Sequence, residues 1–133
     1  MKPKYPHMRQ WESQIMEKYH KLYPNKGEWS YDVHLKVRQN PAPELESESL
    51  VELYNQATAK RIDAVCETQG VIFVIEIKDR LRPSALGQAL TYKALYEEQF
   101  APSKPVEAVI LTEYTDLDMR HVCDLYGVLV WVV

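Results

Sequence analysis

The sequence predicts an α/β fold in which a mixed β-sheet is flanked by helices. Three observations indicate this class. Two β-type segments flank Gln69-Gly70, a pair typical of a hairpin turn. The run at 106–112 is continuously apolar, as in a strand that is covered on both faces. Helical patterns follow each of these regions, and a strand–helix–strand unit joins parallel strands.

The elements follow in order along the chain. Apolar residues at spacings of three and four predict a helix from Met8 to Tyr23 with Met8, Trp11, Ile15, Tyr19 and Leu22 on one stripe. Alternation of Trp29, Tyr31, Val33, Leu35 and Val37 predicts a half-buried strand over 28–38. Residues 39–60 are rich in Glu, and we expect an acidic insertion or loop with a short helix at 49–56.

The second half of the chain alternates strands and helices. Strands are predicted at 61–68 and 71–78, and Gln69-Gly70 between them suits a tight two-residue turn because glycine tolerates a positive φ. Pro83 opens a helix that runs to about residue 99, and a strand follows at 106–112. We expect Thr115 to cap the next helix and Gly127 to end it. A last strand over 128–133 is predicted to form a sheet edge or a subunit contact.

Composition limits the function classes. The 133 residues suit a single domain, residues 1–133, and 46% hydrophobic with 26% charged residues indicates a globular chain. No apolar run matches a membrane span, and no signal peptide is expected at the N-terminus. Cys66 and Cys123 stand far apart, so we expect free buried thiols and a cytoplasmic location. The net charge of −3 argues against coating of nucleic acid through bulk charge, but not against a local basic rim.

The predicted hairpin brings charged residues together. With Gln69 and Gly70 as the turn, Asp63 faces Glu76 and Arg61 faces Lys78, all four on one face. The opposite face carries an apolar set, Ile62, Ala64, Cys66, Phe73, Ile75 and Ile77. Carboxylates roughly 5 Å apart repel each other unless a cation lies between them, and oxygen ligands suit Mg²⁺, with Mn²⁺ as a substitute. A surface ion-pair patch is the alternative, but the apolar run at 71–75 indicates a buried central strand.

These residues resemble a known signature. Asp63, a spacer and Glu76-Ile77-Lys78 are similar to the motif of the PD-(D/E)XK nuclease superfamily, with Ile62 where the name has proline. Gln88-Ala-Leu-Thr-Tyr92 resembles the Gln-x-x-x-Tyr element of the RecB-like and phage-type small nuclease branches. The element order matches the restriction-endonuclease-like αβββαβ core with a C-terminal αβ added, and only the acidic insertion has no counterpart.

The resemblance implies a Mg²⁺-dependent nuclease, a hydrolase that attacks phosphodiester bonds with a metal-activated water. Asp63, Glu76 and the Ile77 carbonyl would bind the metal. Lys78 would assist the attacking water, and Gln88 would orient Lys78 or the phosphate. The alternative function is a non-catalytic module for nucleic-acid binding or assembly on the same fold.

Further residues enter through the same resemblance. Glu12 borders the apolar stripe of the first helix and is the additional catalytic and metal-binding candidate, although it can instead pair with Arg9. Tyr92 would pack or contact the substrate backbone. The alternative for Gln88 and Tyr92 is an ordinary amphipathic helix with Tyr92 in the core.

A basic rim is expected around this site, formed by Lys60, Arg61, Arg80, Arg82 and Lys93. The alternative for each is solubilising surface charge. The expected partner is DNA, with RNA left open, and a homodimer or a partner protein would complete substrate recognition. No histidine pair or Cys-x-x-Cys has the spacing of a zinc site.

Overall fold

The computed structural model describes residues 5, 8–24, 27–36, 38, 47–58 (the main chain alone from 54) and 60–133. The expectations that concern residues 1–4, Val37 and the first part of the insertion at 39–46 lie outside these residues. Within them, no helix has the length and apolar character that crossing a bilayer requires.

Helices and strands alternate along most of the described chain. The elements are α1 (Gln10–Leu22), β1 (Glu28–Leu35), α2 (Glu48–Thr58), β2 (Lys60–Glu67), β3 (Ile72–Arg80), α3 (Pro83–Phe100), β4 (Val106–Tyr114), α4 (Leu117–Leu125) and β5 (Leu129–Val132). Each lies within a few residues of its expected bounds, and α2 occupies the end of the acidic insertion.

The sheet has five strands in sequential order, β1-β2-β3-β4-β5. The pairs β1–β2 and β2–β3 are antiparallel, whereas β3–β4 and β4–β5 are parallel. The parallel pairs are joined through α3 and α4, as strand–helix–strand connections require. The expected mixed sheet flanked by helices is therefore confirmed, with β5 at one edge.

The β2–β3 hairpin has the predicted register. Ala64 pairs with Ile75 and Glu67 pairs with Ile72. The turn closes through a hydrogen bond from the Thr68 N–H to the Val71 carbonyl, 2.9 Å. The predicted two-residue turn at Gln69-Gly70 is present, although Gly70 does not use the positive φ that glycine tolerates. The Thr68 hydroxyl oxygen instead accepts the Val71 N–H at 3.1 Å, so a side chain completes the turn.

The sheet carries a core on each face. On one face, Ile15, Met16 and Tyr19 of α1 pack against Ile75 and Ile77. The other face is covered by α3 and α4, whose buried residues include Ala85, Ala89 and Cys123. The predicted α1 stripe is wrong at its end, because Leu22 is 56% exposed. Met16 is fully buried although the stripe omitted it, since α1 contacts the sheet through adjacent positions as well.

The last helix differs from the prediction at its first residue. Asp116, not Thr115, is the N-cap of α4, and its carboxylate accepts the Met119 N–H at 2.8 Å. An Asp is at least as good a cap as Thr, so the adjacent acid takes this position. Gly127 has φ +69° and follows the helix as expected. Cys66 and Cys123 are free and buried, as predicted.

Candidate metal and nucleic-acid site

The β2–β3 ladder ends immediately before the two central acids. Ala64↔Ile75 is its last pair, so Asp63 is not opposite Glu76 in the ladder, and Arg61 is not opposite Lys78. Asp63 Oδ2 instead accepts the main-chain N–H of Ile77 at 2.9 Å. The direct pairing predicted for these residues is therefore wrong. The physical reason is that a carboxylate replaces the β2 main chain as the partner of β3.

The other neighbour of Asp63 is also irregular. The β1–β2 ladder includes Tyr31↔Ala64 and Val33↔Ile62 but skips Asp32 and Asp63 between them. Asp32 has φ 52°, in the left-handed region, which Asp tolerates better than most residues. Asp63 is thus absent from both ladders of its strand, and its carboxylate is held at a break in the sheet.

The break changes which core the flanking residues join. Trp29 and Tyr31 pack with the α1 cluster, whereas Val33 and Leu35 pack with the cluster that includes Tyr92 of α3. Ile62 also belongs to this second cluster, so its expected grouping with Ala64, Cys66, Phe73, Ile75 and Ile77 is wrong. Strict period-two alternation fails here because it assumes an unbroken pleat.

Removal from water disfavours the ionised forms of Asp63 and Glu76. Glu76 is only 3% exposed. Burial raises the pKa of Asp63 to about 6, although the hydrogen bond from Ile77 opposes the shift. Burial and then the charge of Asp63 raise the pKa of Glu76 well above its usual range. Each carboxyl group affects the pKa of the other, and Glu76 Oε1 has no hydrogen-bond partner among the described residues.

Lys78 lies beside all of the candidate acids. Its positive charge lowers the pKa values of Glu12, Asp63 and Glu76 against the effect of burial. The amine extends from the same strand as Glu76, two residues further on. The structure therefore brings together the acid pair and the lysine that the sequence singled out, although not through the pairing that was predicted.

Glu12 serves the helix and also reaches the site. Its Oε1 accepts the Arg9 N–H at 3.4 Å and lies 4.0 Å from Arg9 Nε, so the predicted alternative pairing is present. Burial raises its pKa, and its charge in turn raises that of Asp63. Asp32 raises the pKa of Glu12 and is an acid that sequence reasoning missed. The position of Asp32 opposite Asp63 in the β1–β2 pair could have identified it. The sequence does not specify that register, because the connection between the two strands is long.

Two of the predicted site residues belong to α3. Gln88 Oε1 is buried, and no described residue donates a hydrogen bond to it. Burial raises the pKa of Tyr92, and the charges of Glu76 and Asp63 add to the shift. Tyr92 also packs beside Leu95 and Tyr96, so its expected packing role is present.

The expected basic rim divides into two groups. Arg80 and Arg82 line a recess that also includes Lys78. The expectation that Arg80 lies in a loop is wrong, because Arg80 is the last residue of β3. Lys60, Arg61 and Lys93 do not line this recess. Lys60 is exposed at the start of β2, Arg61 is half-buried, and the Lys93 amine lies 3.0 Å from Glu97 Oε1.

The donor set fits a hard divalent cation only in part. In the described ranges, no group of three or more His, Cys, Asp or Glu side chains is arranged to hold a metal ion. Asp63 and Glu76 would need main-chain oxygen, water or substrate oxygen to complete the coordination, which is how Mg²⁺ is commonly bound. The fit rests on the orphaned acceptor Glu76 Oε1, because a buried acceptor without a donor is costly unless a cation or water satisfies it.

Comparison with known proteins places few constraints on function. No family model matches the chain, and no curated protein matches it. Among solved structures, the chain is similar to one described as a protein of unknown function, AF1548, with 17% identity and a TM-score of 0.44. The match covers 89% of this chain and 52% of that one, so the chain spans about half the length of this neighbour.

Proposed function

We propose that the chain is a metal-dependent nuclease that hydrolyses phosphodiester bonds, with DNA as the first substrate to test. The observation that carries the proposal is the pair Asp63 and Glu76, a half-buried and a buried acid whose charges act on each other and on which the charge of Lys78 also acts. Acids whose pKa values are raised by desolvation, and which converge at a sheet break, are typical of functional sites. The resemblance to the PD-(D/E)XK signature supports the same interpretation.

Each residue has a defined task under this proposal. Asp63, Glu76 and the Ile77 carbonyl would hold Mg²⁺ or Mn²⁺. When bound, such an ion polarises a phosphate and lowers the pKa of a coordinated water. The Lys78 ammonium stabilises negative charge that develops on the phosphate. Gln88 orients the phosphate through its amide, and Glu12 supplies a further carboxylate from α1.

The ionic state of the site connects its geometry with its chemistry. A pKa of about 6 leaves Asp63 mostly ionised at neutral pH, whereas Glu76 keeps its proton more readily. A cation that enters the site must displace that proton, so metal affinity falls as the pH is lowered. Nuclease activity should therefore increase from pH 6 to pH 8. The buried thiols of Cys66 and Cys123 are compatible with a reducing compartment such as the cytoplasm.

A cleavage panel tests the proposal. Supercoiled, linear, single-stranded, flap and four-way DNA, together with single-stranded RNA, are incubated with Mg²⁺ or Mn²⁺. We expect at least one substrate to be cut, and we expect Lys78→Met to lose at least about a hundredfold in rate while keeping its fold, because it retains the aliphatic stem but not the charge. Arg38→Gln should cut at the parental rate, because Arg38 pairs with Glu98 near the C-terminal end of α3, away from the site.

The panel also separates the proposal from its alternative. Binding of DNA without cleavage of any substrate, with either ion, would indicate a nucleic-acid-binding or assembly module. Cleavage by Lys78→Met at the parental rate would refute the task assigned to the amine. Cleavage that appears only after a partner protein is added, or only in a dimeric fraction, would agree with the expected dependence on a homodimer or partner.

A further inference from the structure

A cationic recess lies next to the candidate reaction site. It has a volume of about 280 Å³ and is lined by Arg9, Trp11, Lys78, Asp79, Arg80, Arg82, Ser84 and Ala85. Four of these side chains are cationic and one is anionic, which gives a formal charge of +3. The whole chain has a net charge of −3, so this concentration of positive charge is not a general property of its surface.

Contacts within the recess hold its arginines in place. Asp79 Oδ1 accepts the Arg80 N–H at 2.9 Å and lies 3.0 Å from Arg82 Nη1. The Arg80 guanidinium lies over the Tyr114 ring, 5.4 Å from its centroid. Asp79 thus pairs with the Arg82 side chain and Tyr114 contacts the Arg80 guanidinium, and arginine is suited to bidentate contact with phosphate oxygens.

The N-terminus of α3 adds to the positive electrostatic potential of the recess. Ser84 and Ala85 belong to the first turn of α3, which contains no acidic residue and whose N-cap, Arg82, makes no side-chain capping bond. The positive end of an 18-residue helix therefore adjoins the recess. This feature reinforces the four cationic side chains and does not replace them.

We propose that this recess binds the terminal phosphate of a nucleic-acid strand and directs the chain to strand ends, an inference that rests on the nuclease function proposed above. A terminal phosphate monoester carries a charge of about −1.5 to −2 at pH 7. An internal phosphodiester carries a single charge. The four cationic side chains of the recess outnumber the two acids that pair with them, Glu12 and Asp79, so the recess favours the monoester. The Trp11 ring in the same wall offers a stacking surface for a terminal base, which inorganic phosphate would not use.

The position of the recess agrees with this assignment. Lys78 belongs both to the recess and to the acid cluster, so a phosphate bound by Arg80 and Arg82 lies beside the acids. Cleavage would then occur close to the bound end and release short products.

Binding of short single-stranded DNA in EDTA tests the inference without cleavage. Three oligonucleotides of one sequence carry a 5′-phosphate, a 3′-phosphate or two hydroxyl ends, and affinity is measured by fluorescence anisotropy. We expect one phosphorylated form to bind about tenfold more tightly than the hydroxyl form, the effect of roughly one charge-assisted hydrogen bond. Arg82→Gln and Arg80→Gln should each reduce this preference to about threefold or less. Arg38→Gln should keep the preference. Arg38 pairs with Glu98 of α3, which is sixteen residues along the chain from Arg82.

The outcomes separate this inference from the proposed function. Equal affinity for all three oligonucleotides would overturn it, as would a preference that both arginine variants retain. If inorganic phosphate stabilises the folded protein but the three oligonucleotides bind equally, the recess would be a site for free phosphate. That result would overturn the role at strand ends. A phosphate preference in a protein that cuts nothing would uphold end binding while the nuclease proposal fails. If the protein cuts circular and linear DNA equally, the nuclease proposal would be upheld and the inference of end binding would fail.

Discussion

Replacement of Asp63 by Asn should make the protein more stable at neutral pH although it removes a proposed metal ligand. Burial raises the pKa of Asp63 from 3.8 to about 6, so ionisation of this group is unfavourable in the folded state. The difference between these two pKa values corresponds to about 3 kcal/mol of stability, which the folded protein loses as the pH rises from about 4 through 6. Asn has no charge to desolvate, and its Oδ1 can still accept the Ile77 N–H.

The sign of the pH dependence follows from proton binding. Between pH 4 and 6 the folded state holds more protons than the unfolded state, so the free energy of unfolding falls as the pH rises. Glu76 changes stability in the same direction at higher pH, because its pKa is also raised. A divalent ion that binds only the folded protein should reverse part of this loss for the parent.

Urea denaturation at pH 8 in EDTA measures the effect. We expect Asp63→Asn to raise the free energy of unfolding by about 1–3 kcal/mol. The exposed Asp118→Asn serves as the control and should change it by less than about 0.5 kcal/mol. Added Mg²⁺ should stabilise the parent and not Asp63→Asn. A less stable Asp63→Asn protein, or a parent whose stability does not change between pH 4 and 8, would refute this account of the buried acids.

Three further predictions test individual positions. Glu12→Gln keeps a side chain that can cap α1, so the free energy of unfolding should change by less than about 0.5 kcal/mol while the cleavage rate falls about tenfold or more. Asp116→Ala should lower the free energy of unfolding in urea by about 1 kcal/mol through loss of the α4 cap, and Thr115→Ala should have a smaller effect. Gly27→Ala should lower it by about 1–3 kcal/mol, because φ is +145° and the added Cβ would lie 2.5 Å from a main-chain oxygen, whereas Gly70→Ala meets open space.

Local patterns predicted most of the sheet and its register. The turn at Gln69-Gly70 and the apolar strand at 72–77 gave the pairing of Ala64 with Ile75, because a short turn leaves few alternatives. The same reasoning then placed Asp63 opposite Glu76 in a ladder that does not extend so far. A side-chain hydrogen bond to Ile77 ends it, and no sequence pattern specifies such a bond.

The features that sequence reasoning missed depend on long-range structure. The left-handed Asp32 lies in a strand whose connection to β2 is long, so its register with Asp63 was undetermined. Because of that break, Val33 and Ile62 both pack with the cluster that includes Tyr92 of α3. The recess beside Lys78 combines Arg9 of the α1 N-cap with Arg80 and Arg82, residues that are distant in sequence.

Calorimetric titration with Mn²⁺ tests the central claim, that Asp63 and Glu76 together hold a divalent ion, most directly. The parent should bind the ion at pH 8 and bind it more weakly at pH 6, because the raised pKa values of both acids make protons compete for the site. Glu76→Gln should lose at least about tenfold in affinity, whereas Glu98→Gln, an exposed acid on α3, should match the parent. Equal Mn²⁺ affinity in the parent and in Glu76→Gln would contradict the account.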